Sequence, residues 1–538
     1  MQPVLNVEDV KKVENDLTGV GVSISELMHR AGISTAREVG EMGGSVQSVV
    51  VMCGLGNNGG DGWVCAEDLL GKGVRVTVVT PVEPDDIRGD LARVVANSAK
   101  RAGVPYVVAP PRSDLEQLLS QADVIVDAML GTGFRGEPRA PFDIWIQCIN
   151  ESGVRVLSVD VPSGLSAQTG LTDGPCVAAD LTVTMIVLKP GLLSDSGRDM
   201  CGTIVVAPLA EQTERLVREA DPVAWRADLD DYVGMLPPLS NADDKFTRGS
   251  VLVVGGSQRF IGAPIMAAMA AARAGAGYVT LAVPAPIVPV VQAHLLEIPV
   301  LALPSAENGT FSADAASTVV ELAEKRSCTL VGPGMRVTSG TVAVTSRLLN
   351  SDVPLVVDAD GLNCIARLTS NALDEFPELL RRDKPLILTP HRGELGRLVG
   401  MQDNPPQSLT TAMEAARRIV WADGGSEIVV VAKGSATACI SAEVAVLPKP
   451  GPASLATAGS GDVLGGVMAS LLSRGDIQNE ELPVLASLAC EIHGYAGSLA
   501  INKRGSRGVM AGDVIDMLGL AEDALEEDIA FPEGEPEE

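Results

Sequence analysis

Through the first half of the chain, apolar residues gather in short runs and do not alternate singly with polar ones. SVVVMCGLG (48–56), VRVTVVTP (74–81), ADVIVDAML (122–130) and VRVLSVDVPSG (154–164) are rich in β-branched residues and end in Gly, Pro or Asp. Helical stretches such as DIRGDLARVVANSAKRAG lie between them. A strand apolar on both faces is buried on both, so these runs predict a parallel sheet covered by helices on each side. The stretch from about 209 to 238 breaks the pattern: it is charged, holds Pro237-Pro238 and lacks a strong strand. The rhythm then restarts with GSVLVVGGS (249–257), YVTLAVP (278–284), CTLVGPG (328–334), PLVVDADGLN (354–363), PLILTPHRGEL (385–395) and EIVVVAKGSATACI (427–440). The last reads as a hairpin, and alanine-rich helices close the chain. The expected organisation is two three-layer α/β domains at 1–218 and 241–522, a linker region at 219–240 and a disordered acidic tail at 523–538.

Composition narrows this picture. A chain of 538 residues is too long for one ordinary core, and 46% hydrophobic with 20% charged residues suits a water-soluble globular protein. Apolar runs are interrupted before the length of a membrane span. The opening MQPVLNVEDVKKVEND places charges where a signal peptide needs its apolar segment, so the expected location is the cytoplasm. Nine scattered cysteines without a C-x-x-C pair read as reduced core thiols, and four histidines are too few for an imidazole-rich metal site. The net charge of −28 argues against a nucleic-acid partner. A phosphorylated ligand would therefore be held mainly by backbone N–H groups.

In the first half, CGLGNNGGDG (53–62) follows a strand and precedes a helix. Its glycines allow close backbone approach, the helix start attracts phosphate, and Asn57, Asn58 and Asp61 add polar side chains. The alternative is a sharp turn with no ligand. Asp127 closes a second strand before the glycine loop GTGFRGE, and Asp160 closes a third with Ser163 just beyond. Carboxyl ends of parallel strands share one sheet edge, where ligands bind. Each aspartate alone reads equally well as a helix cap.

GNNGGDG, VDAMLGTGFRG and VDVPSG, in that order, resemble the NAD(P)H-hydrate epimerase family, whose fold would be Rossmann-like. The resemblance implies that Asn57, Asn58, Gly59, Gly60 and Asp61, then Gly131, Thr132, Gly133, Phe134, Arg135, Gly136 and Glu137, together with Asp160, contact the hydrated dinucleotide. It also implies that Asn58, Asp127 and Ser163 hold K+, and that Asp160 carries the proton during inversion at C6 of the ring. The opening ISELMHRAG also resembles a helix of that family, with His29-Arg30 where some members have Glu-Asn.

In the second half, GGSQRFIGAP (255–264) and GPGM (332–335) are strand-end loops, and TPHRGEL (389–395) sets His391 and Glu394 beyond another strand. TAGSGDVLGGVMASLL (457–472) joins a glycine turn to a helix start. An anion there meets free N–H groups and the positive end of the dipole. Asp462 then stands ready to take a proton from a hydroxyl attacking the phosphate, unless it only caps the helix. GSGD before a small-residue helix resembles the ribokinase-like superfamily. With GGSxxxxGAP, GPG, DADGLN, TPHRGE and KGSAT it is similar to the ADP-dependent NAD(P)H-hydrate dehydratases.

That resemblance implies that Ala263, Gly334, His391 and Asp462 contact the hydrate. It assigns Lys433, Gly434, Ser435, Ala436, Thr437 and Gly461 to the adenine nucleotide, with Mg2+ as cofactor and ADP as co-substrate. Arg392 stands where Pro is common and Gly361 where Ala is usual. The whole chain thus looks like a bifunctional NAD(P)H-hydrate repair enzyme acting on NADHX and NADPHX, with no nucleic-acid or membrane partner and a homo-oligomeric assembly. Two other readings stay open at this level: a ribokinase-like kinase of a small alcohol, and a non-catalytic N-terminal binding module.

Overall fold

A computed structural model describes residues 1–236, 238–370, 379–422, 427–475 and 481–530. The chain forms two compact units. The first comprises Pro3–Val223 with Ser408–Thr410, and the second Met1–Gln2, Ala224–Gln407 and Thr411–Glu538.

Seven parallel strands form the first unit's sheet, in the order Tyr106–Val108, Arg75–Thr80, Ser48–Cys53, Val124–Ala128, Arg155–Val159, Leu181–Met185, Thr203–Ala207. Side chains alternate between two cores, Val49 and Val51 in one and Val50 and Met52 in the other. That alternation makes the unit three-layered. Strand order reverses between Ser48–Cys53 and Val124–Ala128, which opens a crevice at their carboxyl ends.

The second unit repeats the plan. Its strands Ala224–Arg226, Ala445–Leu447, Ala438–Ile440, Ile428–Ala432, Leu386–Leu388, Leu355–Val357, Cys328–Val331, Ser250–Val254, Tyr278–Pro284 and Val300–Leu303 lie side by side in that order. The stretch from Ile428–Ala432 to Val300–Leu303 is wholly parallel. Ile428–Ala432 and Ala438–Ile440 form the expected antiparallel hairpin. Order reverses between Ser250–Val254 and Cys328–Val331, directly before the two glycine loops.

Three expectations are corrected. Residues 219–240 are no mere linker, because Ala224–Arg226 is a strand paired with Ala445–Leu447 and Tyr232, 1% exposed, belongs to the second core. A three-residue strand leaves too short an apolar run to notice. Pro237 lies outside the described residues. The acidic end is helical through Ala530, since Ala521, Leu525 and Ile529 recur every four residues and pack on the core. Residues 531–538 lie outside the described residues. Finally, Leu482–Arg504 is long and apolar enough to cross a membrane by length and composition. It is a core helix of the second unit, with Leu485, Leu488, Ile492 and Ala496 buried.

The glycines after Ser48–Cys53 serve packing. A Cβ on Gly59 would lie 2.1 Å from the Gly54 carbonyl oxygen, and one on Gly62 2.6 Å from Ala128 Cβ. Alanine is ordinarily the better helix former by about 1 kcal/mol. Gly59→Ala is nevertheless expected to destabilise the first unit by about 1–3 kcal/mol, because the backbone it meets is fixed. A lowered thermal midpoint checks this.

Candidate functional site

In the first unit a cavity of about 510 Å³ opens at the crevice. Helix Asn57–Gly71 begins at its wall with Gly56 as N-cap and no side-chain cap, so its first N–H groups are available to a ligand. Asn57, Asn58 and Asp61 line the cavity from the first turns of this helix, where a loop was expected. Gly131, Thr132, Gly133 and Phe134 line it from the second glycine loop. Arg135, Gly136 and Glu137 follow in the same loop and are not among the residues lining the cavity. Arg135 Nη1 donates to the Thr132 and Phe134 carbonyls at 2.8 and 2.7 Å, folding its charge back onto its own loop.

Asp160 follows strand Arg155–Val159 with φ of +66°, a left-handed conformation that Asp tolerates better than most residues. Its Oδ1 accepts from Lys189 Nζ at 2.6 Å, and Lys189 is only 1% exposed. The ammonium also donates to Thr184 Oγ1 and the Met185 carbonyl, each at 2.8 Å, and is thereby saturated. Lys189 was not foreseen; its sole signal is a lysine between a strand and Pro190. Glu14, on helix Val7–Gly19, was also unforeseen and lines the cavity. Burial, then the charges of Asp160 and Glu14, push the Asp61 carboxyl well above its ordinary value. Burial likewise raises Glu14.

Asp127 and Ser163 are hydrogen-bonded to each other. Ser163 Oγ and N–H donate to the two Asp127 oxygens at 2.6 and 2.8 Å, and Ser158 Oγ adds a bond of 2.9 Å. Asn58 packs on the backbone of Gly131, next to Leu130, whose N–H donates to Ser163 Oγ at 2.8 Å. The Asn58 Nδ2 atom is buried without a protein partner. The Asn58 Oδ1, Asp127 carboxylate and Ser163 Oγ oxygens are of the type a hard cation such as K+ takes, whereas the Asn58 NH2 is a hydrogen-bond donor and calls for an acceptor.

The second unit gathers its candidates at the carboxyl ends of adjacent parallel strands. Gly459, with φ of +90°, precedes helix Ser460–Leu472, and again no side chain caps the start. Ser460 Oγ and the buried His493 Nε2 stand 3.2 Å apart. Asp462, half-buried in the first turn, has its carboxyl pushed up to about 7 by burial and by the Asp358 charge, against the lowering effect of Lys433. Lys433 Nζ lies 3.3 Å from where a Cβ on Gly461 would stand, so the KGSAT and GSGD segments meet. Its partner is Asp358 Oδ1, at 2.7 Å. Asp358 was not foreseen as a site residue, although it opens the DADGLN motif.

His391 has a structural task. Its Nδ1 accepts from the N–H groups of Gly393 and Glu394 at 3.0 and 3.2 Å, capping helix Arg392–Leu398, and leaves much of the ring exposed. The adjoining bridge between His391 and Lys433 sets it beside the nucleotide segment. Gly434 closes a turn with Thr437, whose Oγ1 donates to the Gly434 carbonyl at 3.0 Å. A Cβ on Gly434 would lie 3.7 Å from the Arg392 guanidinium, so that substitution sets a cation against this turn. Gly334, with φ of +68°, packs against Phe260 and Ala263, uniting the GPG and GAP loops. A Cβ on Gly361 would stand 2.7 Å from Val357 Cγ1, which explains glycine there.

Comparison with known proteins follows the same division. Residues 24–191 match the family described as YjeF-related protein N-terminus, and 251–519 match NAD(P)H-hydrate dehydratase. The bifunctional NAD(P)H-hydrate repair enzyme Nnr of Moorella thermoacetica is 35% identical, over 94% of this chain and 93% of its own length. That of Thermofilum pendens is 33% identical, over 98% and 97%. Among solved structures, the ADP/ATP-dependent NAD(P)H-hydrate dehydratase of Bacillus subtilis, co-crystallised with ATP and Mg2+, is 24% identical with a TM-score of 0.44. It covers 54% of this chain and 94% of its own. The chain belongs to the bifunctional NAD(P)H-hydrate repair enzymes, an epimerase domain followed by a dehydratase domain.

Proposed function

We propose that the first unit interconverts (R)- and (S)-NAD(P)HX and that the second dehydrates the S epimer with ADP, giving NAD(P)H, AMP and phosphate. The epimerase reading rests on the cavity bordered by Asn57, Asn58, Asp61, Thr132, Phe134 and Asp160. C6 of the hydrated ring bears a hydroxyl next to the ring nitrogen, whose lone pair assists departure of the oxygen. Asp160, steadied by Lys189, carries the proton in that departure and return. Asn58, Asp127 and Ser163 would hold K+, which supplies fixed positive charge near the dinucleotide.

In the dehydratase, the observation that carries the reading is Asp462 beside Lys433 at the uncapped start of helix Ser460–Leu472. Hydroxide leaves poorly and phosphate leaves well. Asp462 removes the proton from the C6 hydroxyl, whose oxygen attacks the terminal phosphorus of ADP. The bond from that phosphorus to the bridging oxygen breaks and AMP departs. Lys433 and the N–H groups around Gly461 offset the charge that develops. The nitrogen lone pair then expels phosphate, and loss of the C5 proton restores the ring double bond. Mg2+, entering with ADP, would supply positive charge to offset that of the phosphates. Ala263, Gly334 and His391 are proposed for the hydrate, and Gly434, Ser435, Ala436 and Thr437 for the nucleotide. The proposal includes a cytoplasmic homo-oligomer without nucleic-acid or membrane partners, in keeping with a net charge of −28.

A base must be deprotonated to act. With Asp462 at about 7, kcat for dehydration is expected to fall about tenfold per pH unit below that value and level off above it. A pH–rate profile with saturating ADP tests this. A rate flat from pH ~5 to ~8 would remove Asp462 from the role.

A further inference from the structure

Asp358 takes no direct part in the proton removal assigned to Asp462 or the charge stabilisation assigned to Lys433. It follows strand Leu355–Val357, and its side chain is 2% exposed. A carboxylate so enclosed needs a cation and donors, and both converge on Oδ1: Lys433 Nζ at 2.7 Å and Thr389 Oγ1 at 2.6 Å. Oδ2 faces the same helix that begins at Ser460, lying 3.6 Å from where a Cβ on Gly465 would stand. The ammonium is thus anchored from the sheet side while it projects over Gly461, in the first turn.

The neighbouring charges show what the anchor prevents. Around Lys433 stand Asp358, Glu394, Asp462 and the imidazoles of His391 and His493. Around Asp462 stand Asp358, Lys433 and Asp360. Were Asp358 neutral, the acceptors left to the ammonium would be Glu394 and Asp462 itself.

We propose that Asp358 is a positioning residue for phosphoryl transfer, holding the Lys433 ammonium over the helix start and away from Asp462. Lys433 can then meet the oxygens of the transferred phosphoryl group, while the Asp462 carboxylate stays open to the substrate hydroxyl. The proton passes from that hydroxyl to Asp462, and neither Lys433 nor Asp358 gains or loses one. This inference rests on reading Asp462 as the base. The Asp358 charge raises Asp462 and Lys433 lowers it, so the two partners should move the base in opposite directions when removed.

The test uses the full chain, (S)-NADHX and MgADP, with R-to-S exchange by the other unit as the measure of intact enzyme. Asp358→Asn is expected to lower kcat about a hundredfold and to move the acid limb of its pH profile down by about one unit. Asp358→Glu should restore part of the rate and return the limb toward its original position. Lys433→Met should lose a similar factor with the limb moved upward; should Asp358→Asn not fold, this variant decides the matter. A fall in kcat with the limb unmoved in either variant, or an unaltered kcat, would overturn the positioning role. Failure of the base reading looks different: Asp462→Asn would then retain dehydration.

Discussion

Asp462→Ala is expected to abolish dehydration, lowering kcat by about 10²–10⁴, while epimerisation continues at its original rate. The loss should fall on kcat more than on KM for ADP, because the carboxylate acts on the hydroxyl proton and the helix start holds the nucleotide. Asp462 is half-buried, and its carboxyl is raised toward 7 by burial and nearby negative charge. Removing it relieves repulsion, so the variant should be at least as stable as the parent. An inactive dehydratase with an unaltered thermal midpoint would separate chemistry from folding. Retained dehydration would leave Asp462 only as a negative charge in the first turn of helix Ser460–Leu472.

Asp160→Asn is expected to reduce R-to-S exchange to the uncatalysed background, and here stability will move as well. Lys189 is 1% exposed, and its ion pair with Asp160 is 2.6 Å long. Removing one partner of a buried pair typically costs about 3–5 kcal/mol, since the other charge remains enclosed. Asp160→Asn combined with Lys189→Met should recover much of the lost stability and none of the exchange. Exchange that recovers along with stability would mean that Asp160 matters only as Lys189's partner. Dehydration of pure S epimer should be unaffected throughout, and its rate on an epimer mixture should become biphasic.

The parallel strands were legible because a strand covered on both faces must be apolar at every position, which leaves an unmistakable run. Their polar ends were legible for a related reason: Asp127, Asp160, His391 and Lys433 each interrupt or follow such a run. The glycine motifs were legible as places of close approach. The sequence did not tell whether a ligand or neighbouring backbone is what comes close, and Gly59 and Gly62 serve the latter. Lys189 and Asp358 were missed because their meaning is tertiary. A lysine at a strand end reads as solvated until the fold encloses it beside Asp160, and Asp358 acts on Asp462 through a lysine 75 residues away. The strand Ala224–Arg226 was too short for a pattern, and the helix Ala511–Ala530 hid its apolar stripe among acidic residues.

The most direct measurement is recovery of the reduced-nicotinamide absorbance band from hydrated NADH incubated with this protein. With ADP and Mg2+, an epimer mixture should return completely to NADH, with AMP and phosphate formed in equal amounts to it. Asp160→Asn should stop near the S fraction on the time scale of the enzyme, and Asp462→Ala should give no recovery. Consumption of nucleotide without return of the band, or a phosphorylated alcohol as the lasting product, would contradict repair and make the second unit a kinase.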